Sequence, residues 1–193
     1  MRRILIIGAT STIAQNCARI WATEEPTHFI LVGRNGSGLR TVGEDLAQRG
    51  PASTLEVVAT DLVSVSAIES TVVAVSRPPI DVALIAHGTM PEQVAVSADL
   101  GLLDEMLRTT GVSVCLWAEA VANAMEKSGS GRMAVIGSVA GDRARRKNYS
   151  YGAAKALIEH YVAGLQHRFV RSNVHVTLIK PGPTATPMTF NSQ

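Results

Sequence analysis

Apolar residues in this chain gather in short runs, separated by longer stretches of helical periodicity. The runs at residues 4–7, 29–32, 54–59, 82–86, 132–136 and 174–179 read as strands. Several lack polar alternation, as expected for parallel strands covered on both faces. Between them, residues 12–22, 38–49, 64–76, 100–126 and 148–171 carry apolar positions at helical spacing. That spacing predicts amphipathic helices. Strand and helix alternate throughout, which predicts an α/β fold: a doubly wound parallel sheet in three αβα layers, with right-handed crossovers. The expected strand order is 3-2-1-4-5-6, with a ligand crevice between strands 1 and 4. A chain of 193 residues suits one well-buried domain, residues 1–193. Ser128-Gly129-Ser130-Gly131 reads as a turn and not as a domain linker.

Composition narrows the function. Hydrophobic residues make up 46% and charged residues 18%, which suits a soluble core. A net charge of +2 makes no global case for nucleic acid or a membrane surface. No apolar run approaches a membrane span. The first strand begins almost at Met1, leaving no room for a signal peptide. Cys17 and Cys115 sit inside apolar helical patterns and read as buried thiols of a reducing compartment. A cytoplasmic location is therefore expected. His28, His160, His167 and His175 have no ligand spacing, and no metal site is expected.

Candidate chemistry begins at Tyr151-Gly152-Ala153-Ala154-Lys155. Residues four apart share one face of a helix. Ser138 ends the apolar run before it, at a strand's carboxyl end, where open α/β sheets bind ligands. A lysine ammonium one turn away is expected to favour the phenolate and lower the tyrosine pKa. A serine hydroxyl can hold a carbonyl against the phenol, so the three groups form a proton-transfer device for a carbonyl/alcohol pair. At the other end of the chain, Gly8-Ala9-Thr10-Ser11-Thr12-Ile13-Ala14 joins the first strand to a helix. A tight glycine turn there presents backbone N–H groups and the positive helix end to a pyrophosphate. Only Gly8 of a full glycine fingerprint is present; Thr12 and Ala14 stand where glycines are expected.

These motifs and their spacing resemble the short-chain dehydrogenase/reductase family over nearly the whole chain. Residues 8–14 stand at its Thr-Gly-x-x-x-Gly-x-Gly position, Asp61-Leu62 at its adenine-contacting aspartate, and Ala86-His87-Gly88 at its Asn-Ala-Gly. Ser138, Tyr151 and Lys155 stand at its catalytic set. Pro181-Gly182-Pro183-Thr184-Ala185-Thr186-Pro187-Met188 looks like the Pro-Gly-x-x-x-Thr segment bordering the nicotinamide. Residues 137–155 look closest to the subgroup that includes decaprenylphosphoryl-ribose 2-keto-reductase-like proteins.

The resemblance implies a function. Tyr151 would be general acid in carbonyl reduction, Lys155 would serve both the phenol and the nicotinamide ribose, and Ser138 would orient the substrate oxygen. Cofactor contacts would come from Gly8, Thr10, Ser11, Thr12, Ile13, Arg34, Asp61, Leu62, Ala86, His87, Gly88, Lys155, Pro181, Gly182, Thr184 and Thr186. NAD-binding members carry an acid after strand 2. Here Gly33-Arg34 offers a guanidinium instead, which suits a 2′-phosphate; NADP is expected over NAD. His87 reads as a packed or cofactor-adjacent histidine and not as a general base. The asparagine that the family often places before strand 5 has no counterpart in residues 108–113, where Thr110 aligns best.

Other features stay open. Arg143, Arg145, Arg146 and Lys147 are either a solvated loop or the grip on an anionic, sugar-like substrate. Apolar residues on the two long helices are core, with any excess suited to a homodimer or homotetramer. The family continues beyond the Pro-Gly segment with a substrate loop, a helix and a seventh strand. This sequence stops at Gln193, so the substrate lid is expected to be missing. The rival to an NADP-dependent oxidoreductase is a non-catalytic nucleotide-binding protein of the same fold. A sugar-nucleotide epimerase would need a C-terminal substrate domain.

Overall fold

Six strands form one parallel sheet in the order β3-β2-β1-β4-β5-β6 in a computed structural model, which describes residues 1–184. The strands are β1 (Arg2–Ile7), β2 (Thr27–Gly33), β3 (Thr54–Ala59), β4 (Val82–Ile85), β5 (Ser130–Ile136) and β6 (Asn173–Ile179). The strand order is the expected one, and every strand lies on an expected apolar run. Seven α-helices connect them: α1 (Thr12–Glu24), α2 (Gly36–Arg49), α3 (Val65–Val75), α4 (Gln93–Ala98), α5 (Leu100–Leu107), α6 (Ser113–Ser128) and α7 (Tyr149–Arg168).

Crossover handedness decides which face each helix covers. The sheet grows one way through β2 and β3, and the other way through β4, β5 and β6. One core therefore gathers Ala14, Ala18, Ala22, Leu39 and Leu46 of α1 and α2 against Ile4, Ile6, Phe29 and Leu31. The other packs α3, α6 and α7, through Ile68, Trp117, Val121 and Ile158, on Leu5, Ile7, Ile30 and Val135. The central strands β1, β2 and β4 are almost wholly buried. In β6 burial alternates: Val174 and Val176 are buried while His175 and Thr177 are exposed. Among the described residues that strand is covered on one face only.

Two differences from the expected elements matter for the cleft. The helix expected over residues 100–126 is interrupted by a π-turn at Arg108–Val112. Thr110 causes its fixed position: the hydroxyl donates to the Thr89 carbonyl at 2.8 Å and accepts from the Thr89 N–H at 2.9 Å. Such insertions recur at functional sites. Helix α4 falls where the apolar pattern predicts no element. Six residues give too few turns for an apolar period to show.

Candidate active site

The carboxyl ends of β1, β4 and β5 open into a cleft of about 1660 Å³. At one end lies the β1–α1 turn. Gly8 has φ +80°, and a Cβ there would meet the His87 backbone nitrogen at 2.6 Å. Only glycine lets the strand-1 turn and the β4 loop approach so closely. Gly8 and Ala9 donate to the Val32 carbonyl at 2.9 and 3.2 Å, tying this turn to the end of β2. Ala14 and Ala18 are buried against the sheet, so alanine takes the close-packing role that a glycine fingerprint gives to glycine. Ser11 precedes α1 without a side-chain cap, leaving the first-turn N–H groups facing the cleft wall formed by Thr10, Ser11, Thr12 and Ile13. This cradle, with its positive helix end, fits a dinucleotide pyrophosphate.

Arg34, at the end of β2, also lines the cleft, as do Leu62, Ala86, His87 and Gly88. Asp61 does not line it. Its carboxylate instead accepts from the Val63 N–H at 2.9 Å, shaping the turn before α3. His87 is buried, and its proton arrangement follows from its neighbours. The Ser113 hydroxyl donates to the Leu62 carbonyl at 2.5 Å and therefore accepts from His87 Nε2 at 2.8 Å. Nδ1 is left as a buried acceptor without a hydrogen-bond partner among the described residues. Burial, with Lys155 and Arg34 adding positive charge, pushes the His87 pKa down to about 3. The ring is neutral at physiological pH, in keeping with a packed, cofactor-adjacent role.

At the other end the structure brings Ser138, Tyr151 and Lys155 to one wall. Ser138 leaves β5 in an extended conformation, and its hydroxyl accepts from Ala140 N at 3.1 Å in the 3₁₀ turn Val139–Gly141. That turn presses against α7. A Cβ on Gly152 would stand 2.7 Å from the Ala140 carbonyl oxygen, so the glycine after Tyr151 is what allows Ser138 and the phenol to meet. Lys155, only 4% exposed, donates to the Ile136 carbonyl at 2.9 Å, and its Nζ lies 5.6 Å from the Tyr151 ring centre.

The expected lowering of the tyrosine pKa does not appear in this cleft. Burial raises Tyr151 above the ordinary value, and the facing Ser138 hydroxyl only opposes the rise. Lys155 spends its ammonium on Ile136, and burial pulls its own pKa down to about 8. Desolvation is the largest cause of both shifts.

Pro181, Gly182, Pro183 and Thr184 border the cleft; Thr186 lies outside the described residues. Arg145, Arg146 and Lys147 line the cleft beside Tyr149 and Tyr151. Asp142, the acid of this loop, is engaged by Lys180, which also holds Glu159 at 2.9 Å. One wall had no counterpart in the sequence reading: Met90, Pro91, Glu92, Gln93, Val94 and Ser97, on and before α4. Among the described residues no group of His, Cys, Asp and Glu could hold a metal ion. No helix among them is long and apolar enough to cross a membrane.

Comparison with known proteins agrees with this geometry. A family profile described as short chain dehydrogenase matches residues 2–193. An oxidoreductase of Mycobacterium tuberculosis is 30% identical over 181 residues, covering 93% of this chain and 72% of the relative. An oxidoreductase of Staphylococcus aureus is 26% identical over 191 residues, covering 97% of this chain and 80% of the relative. Among solved structures, an actinorhodin polyketide ketoreductase with NADPH superposes with TM-score 0.88 at 27% identity, over 97% of this chain and 72% of that one. A short-chain type dehydrogenase/reductase from Mycobacterium ulcerans superposes equally well, with TM-score 0.88 at 20% identity, over 98% of this chain and 70% of that one. The chain belongs to the short-chain dehydrogenase/reductase family and is an NAD(P)-dependent oxidoreductase acting on the CH–OH/carbonyl couple.

Proposed function

We propose that the protein is an NADPH-dependent carbonyl reductase whose substrate is small and anionic or sugar-like, with the reverse alcohol oxidation open to it. One observation carries the reading. Ser138, Tyr151 and Lys155 share a wall of the same cleft whose far end holds the Gly8 turn and Arg34. Bound there, the nicotinamide supplies the hydride. The uncapped start of α1 would receive the pyrophosphate, and Arg34 would meet a 2′-phosphate, since residues 33–35 offer no carboxylate for ribose hydroxyls. Gly8, Thr10, Ser11, Thr12, Ile13, Leu62, Ala86, His87, Gly88, Pro181, Gly182 and Thr184 would complete the cofactor wall.

Ser138 Oγ donates to the substrate oxygen and holds it against Tyr151. Tyr151 gives its phenolic proton to that oxygen as negative charge builds there. The raised pKa of the phenol keeps it protonated at neutral pH, as an acid must be. Lys155, charged below about pH 8, stabilises the phenolate left behind. Arg145, Arg146 and Lys147 supply positive charge at the substrate end, which supports an anionic substrate. So does the resemblance of residues 137–155 to the decaprenylphosphoryl-ribose 2-keto-reductase-like subgroup. Leu100, Val112 and Leu157, exposed along α5, the π-turn and α7, support a homodimer or homotetramer. The buried thiol of Cys115, its pKa pushed up to about 11, suits the cytoplasm.

A non-catalytic reading has one observation in its favour. Thr110, where a relay asparagine is expected, is fully buried and bonded to Thr89. Calorimetry of NADPH and NADH, together with a panel of anionic and neutral carbonyls, separates the two readings. NADPH should bind more tightly, Arg34→Ala should lose up to ~3 kcal/mol of that preference, and anionic carbonyls should be turned over faster. Tighter NADH binding would overturn the cofactor assignment. NADPH binding with no turnover across the panel would support the non-catalytic protein.

A further inference from the structure

Helix α7 carries Tyr151 and Lys155, yet the residue that precedes it does not cap it. Asn148 has φ −159° and ψ 36°, and its side chain makes no capping bond. A helix start leaves N–H groups to be satisfied from elsewhere. Here the partner comes from α4. Gln93 Oε1 accepts from the Ser150 N–H at 3.0 Å, and Gln93 Nε2 donates to the Ser150 hydroxyl at 2.9 Å. One amide thus reads both the backbone and the side chain of the residue immediately before Tyr151.

The surrounding protons fix this arrangement. The Ser97 hydroxyl donates to the Gln93 carbonyl at 2.7 Å, so it accepts from Gln93 Nε2 at 3.2 Å and from the Tyr149 hydroxyl at 3.1 Å. The amide orientation follows, because the Ser150 N–H can only donate. Gln93 is 9% exposed and Ser150 6%, so water does not readily replace these bonds. Gln93, Ser97 and Tyr149 also line the cleft.

We infer that Gln93 is the cap of the catalytic helix, supplied from a separate element, and that it positions Tyr151 against Ser138. It touches neither reacting atom; it acts through Ser150. The inference rests on the proposed role of Tyr151, and its test is built to fail separately from that role. Gln93→Met keeps the length and removes the polar atoms. Gln93→Glu keeps an acceptor for the Ser150 N–H, with the serine hydroxyl turning round to donate, and places its charge at a helix start that favours it.

Two measurements decide. The first is steady-state kinetics on the best carbonyl of the panel above, with NADPH affinity alongside. A displaced proton donor costs chemistry more than binding, so Gln93→Met should lower kcat about tenfold or more. Its KM and NADPH affinity should stay near wild type, and Gln93→Glu should recover most of the loss. The second needs no turnover: titration of tyrosine labelled with ¹³C at Cζ, with Tyr151→Phe identifying the resonance. In Gln93→Met the Tyr151 midpoint should move by roughly half a pH unit or more, since its distance from Ser138 has changed; Gln93→Glu should shift it less. An unmoved Tyr151 resonance in Gln93→Met, or a wild-type kcat, would overturn the inference. A parallel fall in kcat and NADPH affinity without rescue would do the same, by showing general loosening. If no carbonyl is reduced by the wild type, the functional reading falls and the titration still decides the cap.

Discussion

Lys155 shows how one side chain links stability to activity. It is almost wholly buried, and burial takes its pKa from 10.5 to about 8. Between those values the unfolded chain binds more protons than the folded one, so stability rises with pH across that window. At neutral pH the buried charge subtracts from stability. Lys155→Met should therefore be more stable than wild type at pH 7, by about 1–3 kcal/mol once the lost bond to Ile136 is set against the relieved charge. The gain should shrink as pH rises from 8 to 10.5. Urea unfolding at pH 7 and pH 10 checks both statements. A variant less stable than wild type at pH 7 would show that the bond to the Ile136 carbonyl outweighs desolvation. Catalysis should fall in the same variant, the exchange expected where a strained site is kept for function. The residue pair itself was legible in the sequence, because Tyr151 and Lys155 are four apart on one helix. The sign of the tyrosine shift was not. It depends on burial of the phenol, which only the packed cleft supplies and which the Ser138 hydroxyl merely opposes.

Elements explain which parts of the site sequence reasoning reached. The strands and the longer helices announced themselves by runs and periods, and with them came the positions of Gly8, Ser138 and Tyr151. The π-turn did not, since the apolar pattern of residues 100–126 runs across it. Within it Thr110 bonds to Thr89, in the loop after β4 and 21 residues away, a contact that no local period reveals. Gln93 was equally hidden. Asn148 looked like the natural start of α7, and the real partner of Ser150 lies 57 residues away. The β1–α1 turn is the clearest case of an element dictating a residue. Gly8→Ala forces a left-handed φ on a side chain and drives a Cβ into the His87 backbone. The expected cost is about 2 kcal/mol or more. NADPH affinity should fall with it, because the clash parts the two loops that form the cofactor wall. Thermal unfolding with and without NADPH measures both. Wild-type stability and cofactor stabilisation in Gly8→Ala would mean that the loops separate freely.

At the scale of the molecule, function follows from where the strand order reverses. β1 and β4 lie side by side but continue to opposite edges of the sheet, so their following loops part and leave a cleft. On the proposed reading the cofactor end is built by α1 and the end of β2 and the chemical end by β5 and α7, with Arg145, Arg146 and Lys147 lining the same cleft. The central claim is that Tyr151 delivers the proton in NADPH-dependent reduction. The most direct test is single-turnover hydride transfer, wild type against Tyr151→Phe, with NADPH affinity measured in the same preparations. The substitution keeps the ring and removes only the hydroxyl. Affinity should be unchanged and the transfer rate should fall by ~10²–10⁴, the range for a lost general acid. A phenylalanine variant that transfers hydride at the wild-type rate would remove Tyr151 from the mechanism and contradict the account.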